Sequence, residues 1–263
     1  MASPAPITTP CSTAPFYSTV LTAAQIAQNV NYVAGVLAGR GITLGNTISS
    51  SLNQIIFDGD SITAGKQSTG HGNYPSATMA ALSGTYAWSN LGVGSQYVST
   101  IVTNGPTNVD TLWSNYSGSK KIYILFASTN DLANGFSGSS CYTAIKTRCN
   151  AAKAAGATKC IVATTLNRGT FSAGQGSATG ADSGQQNALN AALRVDFGTQ
   201  ISGKVYSGSP GYADVLMDLQ AETNLQNTSN TTYFNSDTIH PNNTGYAIIA
   251  ADAVIALNYL GIT

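Results

Sequence analysis

Ser61 lies where an apolar run, Gln54-Ile-Ile-Phe57, breaks into Asp58-Gly-Asp-Ser-Ile-Thr-Ala-Gly65. A serine placed directly after a buried strand and flanked by glycines can open a helix or turn, where the local field favours negative charge. Its hydroxyl is a poor nucleophile until a base takes the proton. The chain has two histidines, His71 and His240. His240 sits in Ser236-Asp-Thr-Ile-His-Pro241, with Asp237 three residues before it, so a single turn can bring the carboxylate onto the imidazole. There it would fix the tautomer and stabilise the imidazolium formed as Ser61 loses its proton. His71, in Thr69-Gly-His-Gly72, has no carboxylate near it in sequence and reads as a loop residue.

Acyl transfer at such a serine also needs donors for the oxyanion, each contributing about 10²–10³ in rate. Ser128-Thr-Asn130-Asp131 follows another apolar run and offers the Asn130 amide. Asn90-Leu-Gly-Val-Gly-Ser-Gln96 is a tight segment able to offer a backbone N–H, from Gly94 or Ser95. The Ser61 N–H would complete a hole of three donors. Each segment alone has a plainer reading, because Gly, Asp, Ser and Asn are turn formers and an Asp before a helix can be a cap. Their occurrence together, at the ends of separate strands or just ahead of the final helix, favours the catalytic reading.

The elements that must hold these residues alternate along the chain. Runs rich in β-formers occur at 54–58, 85–93, 121–127, 159–166 and 214–219, with helical candidates at 74–82, 109–116, 139–155, 184–197 and 243–260. Ile122-Tyr-Ile-Leu-Phe-Ala127 is apolar throughout, the pattern of a strand covered on both faces. Alternating strands and helices with such strands predict an α/β fold with a parallel sheet, whose ligands bind beyond the carboxyl ends of the strands. Residues 22–38 carry the apolar spacing of one amphipathic helix ahead of this pattern. The Gly-, Ser- and Ala-rich stretch 168–184 reads as a mobile loop bordering the site, able to cover substrate.

Of the 263 residues, 43% are hydrophobic, enough for a well-buried core, but only 8% are charged against about 25% in ordinary domains. Basic and acidic residues both total 11, which leaves no basic stripe for nucleic acid and nothing to steer the chain to an anionic membrane. No apolar run reaches the ~18 residues of a membrane span, and the opening Met-Ala-Ser-Pro-Ala-Pro has no signal-peptide pattern. Cys11, Cys141, Cys149 and Cys160 lack the paired spacing of a zinc site. Disulfide and free-thiol readings both stand, with Cys149 and Cys160 read first as packing residues. Cys141 and Cys149 would sit about 12 Å apart along one helix, too far to bridge. The low charge and the Ser-, Thr- and Asn-rich surface favour an extracellular setting.

The four segments together resemble the SGNH hydrolase superfamily, the GDSL-like lipases and esterases. Gly59-Asp60-Ser61-Ile62 matches the first block and Asp237-Thr-Ile-His240 the last. The third block keeps its Asn130 but has Ser128 where the family usually has Gly, and the second has Ser95 in the glycine's place, with Gly94 just before it. The resemblance runs from about residue 54 to the end. It implies a three-layer α/β/α sandwich around a five-stranded parallel sheet, flavodoxin-like in order, as a catalytic domain at 51–263. Residues 1–50 would be an N-terminal extension with one helix packed on it.

It also implies catalysis by Ser61, His240 and Asp237, an oxyanion hole of Ser61, Gly94 or Ser95, and Asn130, and no metal or cofactor. The polar loops, without an apolar lid, favour short-acyl esters as substrates, O-acetyl groups on carbohydrate among them. A short-chain lipase or thioesterase, or a carbohydrate-binding module without turnover, are the alternatives.

Overall fold

Strand β1, Gln54–Gly59, is buried at every position and lies inside the sheet, one strand from its edge. The computed structural model describes residues 52–263; the expected extension at 1–50, its helix at 22–38 and Cys11 lie outside the described residues. β1 pairs in parallel with β2, Ala87–Asn90, on one side and with β3, Lys121–Phe126, on the other. Beyond β3 follow β4, Lys159–Ala163, and then β7, Val215–Met217, both parallel. These are the five expected parallel strands, and their order, β2-β1-β3-β4-β7, is the flavodoxin-like one.

The sheet does not stop there. A hairpin of β5, Thr199–Ser202, and β6, Val205–Ser207, adds two antiparallel strands to the outer edge of β7, giving seven. The sequence reading missed this hairpin. Thr199-Gln-Ile-Ser202 is largely exposed, so it lacks the continuous apolar run that marks a strand buried on both faces.

Alternate residues of the central strands feed two cores. Ile55, Phe57, Ile122 and Ile124 face helices α2, Tyr74–Ala81, and α7, Asn243–Tyr259. Ile56, Tyr123 and Leu125 face α3, Val98–Asn108, α5, Gly138–Ala155, and α6, Gly184–Asp196. The result is the three-layer sandwich. Two short helices complete the set: α1, Ser61–Ala64, directly after β1, and α4, Thr129–Ala133, just after β3.

Helix α3 was not expected. Its Thr, Asn and Gly residues and the internal Pro106 are poor helix formers, and only the burial of Val98 and Ile101 against the sheet compensates. The helix expected at 109–116 is instead a 3-10 turn, Asp110–Asn115, that seats Trp113 in the core. Cys141, Cys149 and Cys160 are buried free thiols, so among the described cysteines the packing reading holds. The stretch 168–184 is fastened rather than loose. Asn167 donates to the Gly180 carbonyl at 2.9 Å, Gln186 accepts from the Ser177 N–H at 2.9 Å, and Thr228 donates to the Ala178 carbonyl at 3.2 Å.

Candidate active site

Three consecutive choices in the sequence present Ser61. Gly59 passes so close to β3 that a Cβ there would overlap the Phe126 carbonyl. Asp60 caps α1, its carboxylate accepting from the Ile62 N–H at 2.9 Å. Ser61 is then the first helical residue, and among the described residues its N–H has no acceptor. Asp60 is fully buried, and burial pushes its carboxyl up to about 7 against the pull of the Ile62 N–H.

His240 arrives from 179 residues away and places Nε2 2.8 Å from Ser61 Oγ. Its Nδ1 lies 2.6 Å from Asp237 Oδ2. The turn between the two is wound by Thr238, whose φ is +56°, so that Asp237 Oδ1 accepts from both the Ile239 and His240 N–H groups at 3.0 Å. Asn235 closes the loop from outside, donating to the Pro241 carbonyl at 2.9 Å. Partial burial would raise the Asp237 carboxyl, but the hydrogen bonds from His240 and Ile239 outweigh it and hold the group down at about 2. For His240 burial dominates and lowers the imidazole below its ordinary value, with Asp237 opposing and Lys66 and Arg168 adding to the decrease. The imidazole is therefore neutral near pH 7 and able to accept the Ser61 proton.

The remaining expected donors come from the ends of β2 and β3. After β2, Leu91 and Val93 donate to the Phe57 and Gly59 carbonyls at 2.8 and 3.0 Å, which ties the loop to β1. Gly92 is required because a Cβ would run into the α1 backbone at Thr63 and Ala64. That leaves the Gly94 and Ser95 N–H groups without acceptors among the described residues. Ser95 has φ +62°, the left-handed conformation that a glycine adopts at no steric cost. Ser128 at the head of α4 has φ +100° and is fully buried. Both serines thus keep a glycine's backbone where the usual glycine is missing.

Asn130 directs Nδ2 to the Gln96 carbonyl at 3.2 Å and Oδ1 to Arg168 Nη1, also at 3.2 Å. Ser61 after β1 and Asn130 after β3 flank the point where the strand order reverses, the usual ligand crevice of such sheets. His71 lies in an exposed turn, outside the hydrogen-bonded chain of Ser61, His240 and Asp237. Among the described residues no group of His, Cys, Asp or Glu is arranged to hold a metal.

Two participants were not anticipated. Gln67 donates to Asp237 Oδ2 at 3.2 Å from an exposed position, and no sequence signal marks it. Arg168 could have been found by asking which polar residue follows the fourth strand.

An α/β sandwich with a serine, histidine and carboxylate chained by hydrogen bonds at its switch point is an arrangement suited to hydrolysis by a nucleophilic serine. Residues 57–248 match the model of the GDSL-like Lipase/Acylhydrolase family, so the chain belongs to that family, within the SGNH hydrolase superfamily. Among solved structures it is similar to a lipolytic protein of the G-D-S-L family from Veillonella parvula, at 17% identity over 78% of this chain and 98% of that one, with a TM-score of 0.59. The psychrotrophic esterase EstA from Pseudoalteromonas sp., in a structure inhibited by monoethylphosphonate, aligns at 14% identity over 80% and 99%, with a TM-score of 0.55. A mutant acetyl-xylooligosaccharide esterase from Geobacillus Stearmophilus aligns at 14% identity over 80% and 95%, with a TM-score of 0.55. At these identities the likeness is one of fold. No curated protein sequence matches the chain significantly.

Proposed function

We propose that the protein is a serine esterase that hydrolyses short-acyl carboxylic esters, O-acetyl groups on carbohydrate among them, through an acyl-enzyme on Ser61. The observation that carries this reading is the unbroken chain from Ser61 Oγ through His240 to Asp237, at 2.8 and 2.6 Å. His240 Nε2 takes the Ser61 proton as Oγ attacks the ester carbonyl, and Asp237 stabilises the imidazolium through Nδ1. The tetrahedral oxyanion is held by the Ser61 N–H, the Asn130 amide and the Ser95 N–H. Ser95 is favoured over Gly94 because it stands at the family's glycine position and has a glycine-like φ of +62°. Collapse returns the proton from His240 to the leaving alcohol. Water activated by His240 then releases the acid and restores Ser61.

The preference for short acyl groups rests on the polar surroundings. Gln67 donates to Asp237, and Asn130, at the end of β3, is held between the Gln96 carbonyl and Arg168. Among the described residues, two hollows of about 450 and 500 Å³ are lined by α2 with α7 and by α3 with α5, and by none of the Ser61, His240 and Asp237 cluster. The same fold serves an acetyl-xylooligosaccharide esterase among the structural relatives. The test compares p-nitrophenyl acetate with the decanoate ester, then acetylated sugars, with Ser61→Ala as the inactive control. A higher kcat/KM on acetate is expected. Preference for the decanoate ester would sink the short-acyl assignment, and turnover unaffected by Ser61→Ala would sink the mechanism.

A further inference from the structure

The described residues include three arginines, and two of them are neutralised. Arg148 pairs with Asp110, and Arg194 with Asp182 and Asp218 at 2.9 and 2.7 Å. Arg168 is half-buried, and among the described residues no carboxylate forms an ion pair with it. Its Nε donates to Thr170 Oγ1 at 2.7 Å and its Nη1 to Asn130 Oδ1 at 3.2 Å. The Asp60 and Asp237 carboxylates favour the cation electrostatically without bonding to it, and a partly desolvated cation left without a direct partner beside the Ser61–His240–Asp237 chain marks a functional group.

We propose that Arg168 is a positioning residue of the oxyanion hole, acting through Asn130; this rests on the esterase reading above. Asn130 has one acceptor and two N–H groups. Its oxygen is taken by Arg168 and one N–H by the Gln96 carbonyl, which leaves the second N–H for substrate. Turning the amide over would set its NH2 against the guanidinium and its oxygen against the Gln96 carbonyl, two repulsive contacts in place of two hydrogen bonds. Arg168 and the Gln96 carbonyl together decide which end of the amide acts.

A charged donor on Oδ1 also polarises the amide, and that strengthens the remaining N–H as a donor to developing negative charge. The arginine's own backbone is fixed on both sides. Its N–H donates to the Ser177 carbonyl at 3.0 Å, and the Gly169 N–H donates to the Thr238 carbonyl at 2.9 Å, inside the Asp237–His240 turn. One short segment thus couples the amide of the hole to the loop that carries the base.

The experiment is the rate of Ser61 labelling by an alkyl fluorophosphonate. Ser61 Oγ forms a bond to phosphorus, fluoride leaves, His240 takes the proton, and the phosphoryl oxygen occupies the hole. Wild type, Arg168→Met, Asn130→Ala and the double variant are compared, alongside kcat and KM for p-nitrophenyl acetate. Arg168→Met is expected to slow labelling about 10- to 100-fold and to lower kcat with KM within about twofold. In the Asn130→Ala background it should add almost nothing, while Arg168→Lys restores part of the loss. Losses that multiply in the double variant, a change confined to KM, or wild-type rates in Arg168→Met would each overturn the proposal. If Arg168→Met loses its cooperative thermal transition, Arg168→Lys against Asn130→Ala supplies the same cycle, with coupling expected and additivity overturning it. Failure of wild-type Ser61 to label at all would instead bring down the esterase reading on which the proposal stands.

Discussion

The catalytic end of the sheet and the polar network between the sheet and α5 are built from the same residue types and arranged to different ends. Beneath α5, Arg148 is fully buried over the Tyr123 ring, its guanidinium on Asp110 with Nη1 to Oδ2 at 3.2 Å. Tyr123 in turn donates to Asp58 Oδ2 at 2.6 Å, and the Gly59 N–H donates to Oδ1 at 2.8 Å. The Arg148 charge is paired there, although its Nε has no partner among the described residues. At the strand ends, by contrast, the Ser61, Gly94 and Ser95 N–H groups lack acceptors among the described residues, and Arg168 has no direct ion pair among them. Open backbone donors at one end, against a guanidinium paired to a carboxylate at the other, are what separate a site from a scaffold built of similar parts.

The sharpest way to break this contrast is Asp237→Asn. The geometry can survive, but the amide cannot stabilise the imidazolium, and kcat is expected to fall about 10⁴-fold with little change in melting temperature. The wild-type pH profile should confirm why. Burial lowers the His240 pKa, so kcat/KM should fall on the acid side with an apparent pKa below the ordinary histidine value of about 6.5. Asp237 is the group that raises the imidazole pKa, so the limb should move lower still in the Asn variant. A limb at or above 6.5 in the wild type would contradict the burial argument.

At the scaffold end the expected effect is on stability. Arg148→Met strands the Asp110 carboxylate, which is 15% exposed, and should cost about 3–5 kcal/mol in denaturant unfolding. If labelling of Ser61 fell while stability held, the two regions would not be separable as described.

Asp252 on α7 sharpens the comparison from a third position, because it is a buried carboxylate whose Oδ2 has no hydrogen-bond partner among the described residues. Burial first, then the charges of Glu222 and Asp218, push its carboxyl up to about 7. In the unfolded chain the group ionises near 3.9. The unfolded state therefore holds fewer protons between about pH 4 and 7, and the group lowers stability as pH rises through that window. Asp252→Asn should stabilise the protein by at most about 4 kcal/mol at pH 8 and hardly at pH 4. Equal gains at both pH values would rule out ionisation as the cause.

Most of the parallel sheet was legible, because strands covered on both faces must be apolar at every position, and Ile122-Tyr-Ile-Leu-Phe126 shows this directly. The edge hairpin and α3 were not. Exposed edge strands and helices held by tertiary packing have no periodic signature strong enough to compete with their Thr, Gln, Gly and Pro content. The site divides in the same way. Asp237 and His240 are neighbours along the chain, so their pairing is local, whereas the contribution of Arg168 depends on a contact with a residue 38 positions away.

By itself the sequence determined the residue types of the chemistry and the strand ends that carry them, since a nucleophile, a base and an amide must each follow a buried strand or open a helix. Only the tertiary structure decided the backbone of Ser95 and Ser128, at φ +62° and +100°. A serine does not choose that conformation locally, and the loop ties to β1 and the buried head of α4 impose it. The tertiary structure also decided which end of Asn130 is turned toward Arg168, because an amide has no intrinsic preference until partners on both sides remove one of its two orientations.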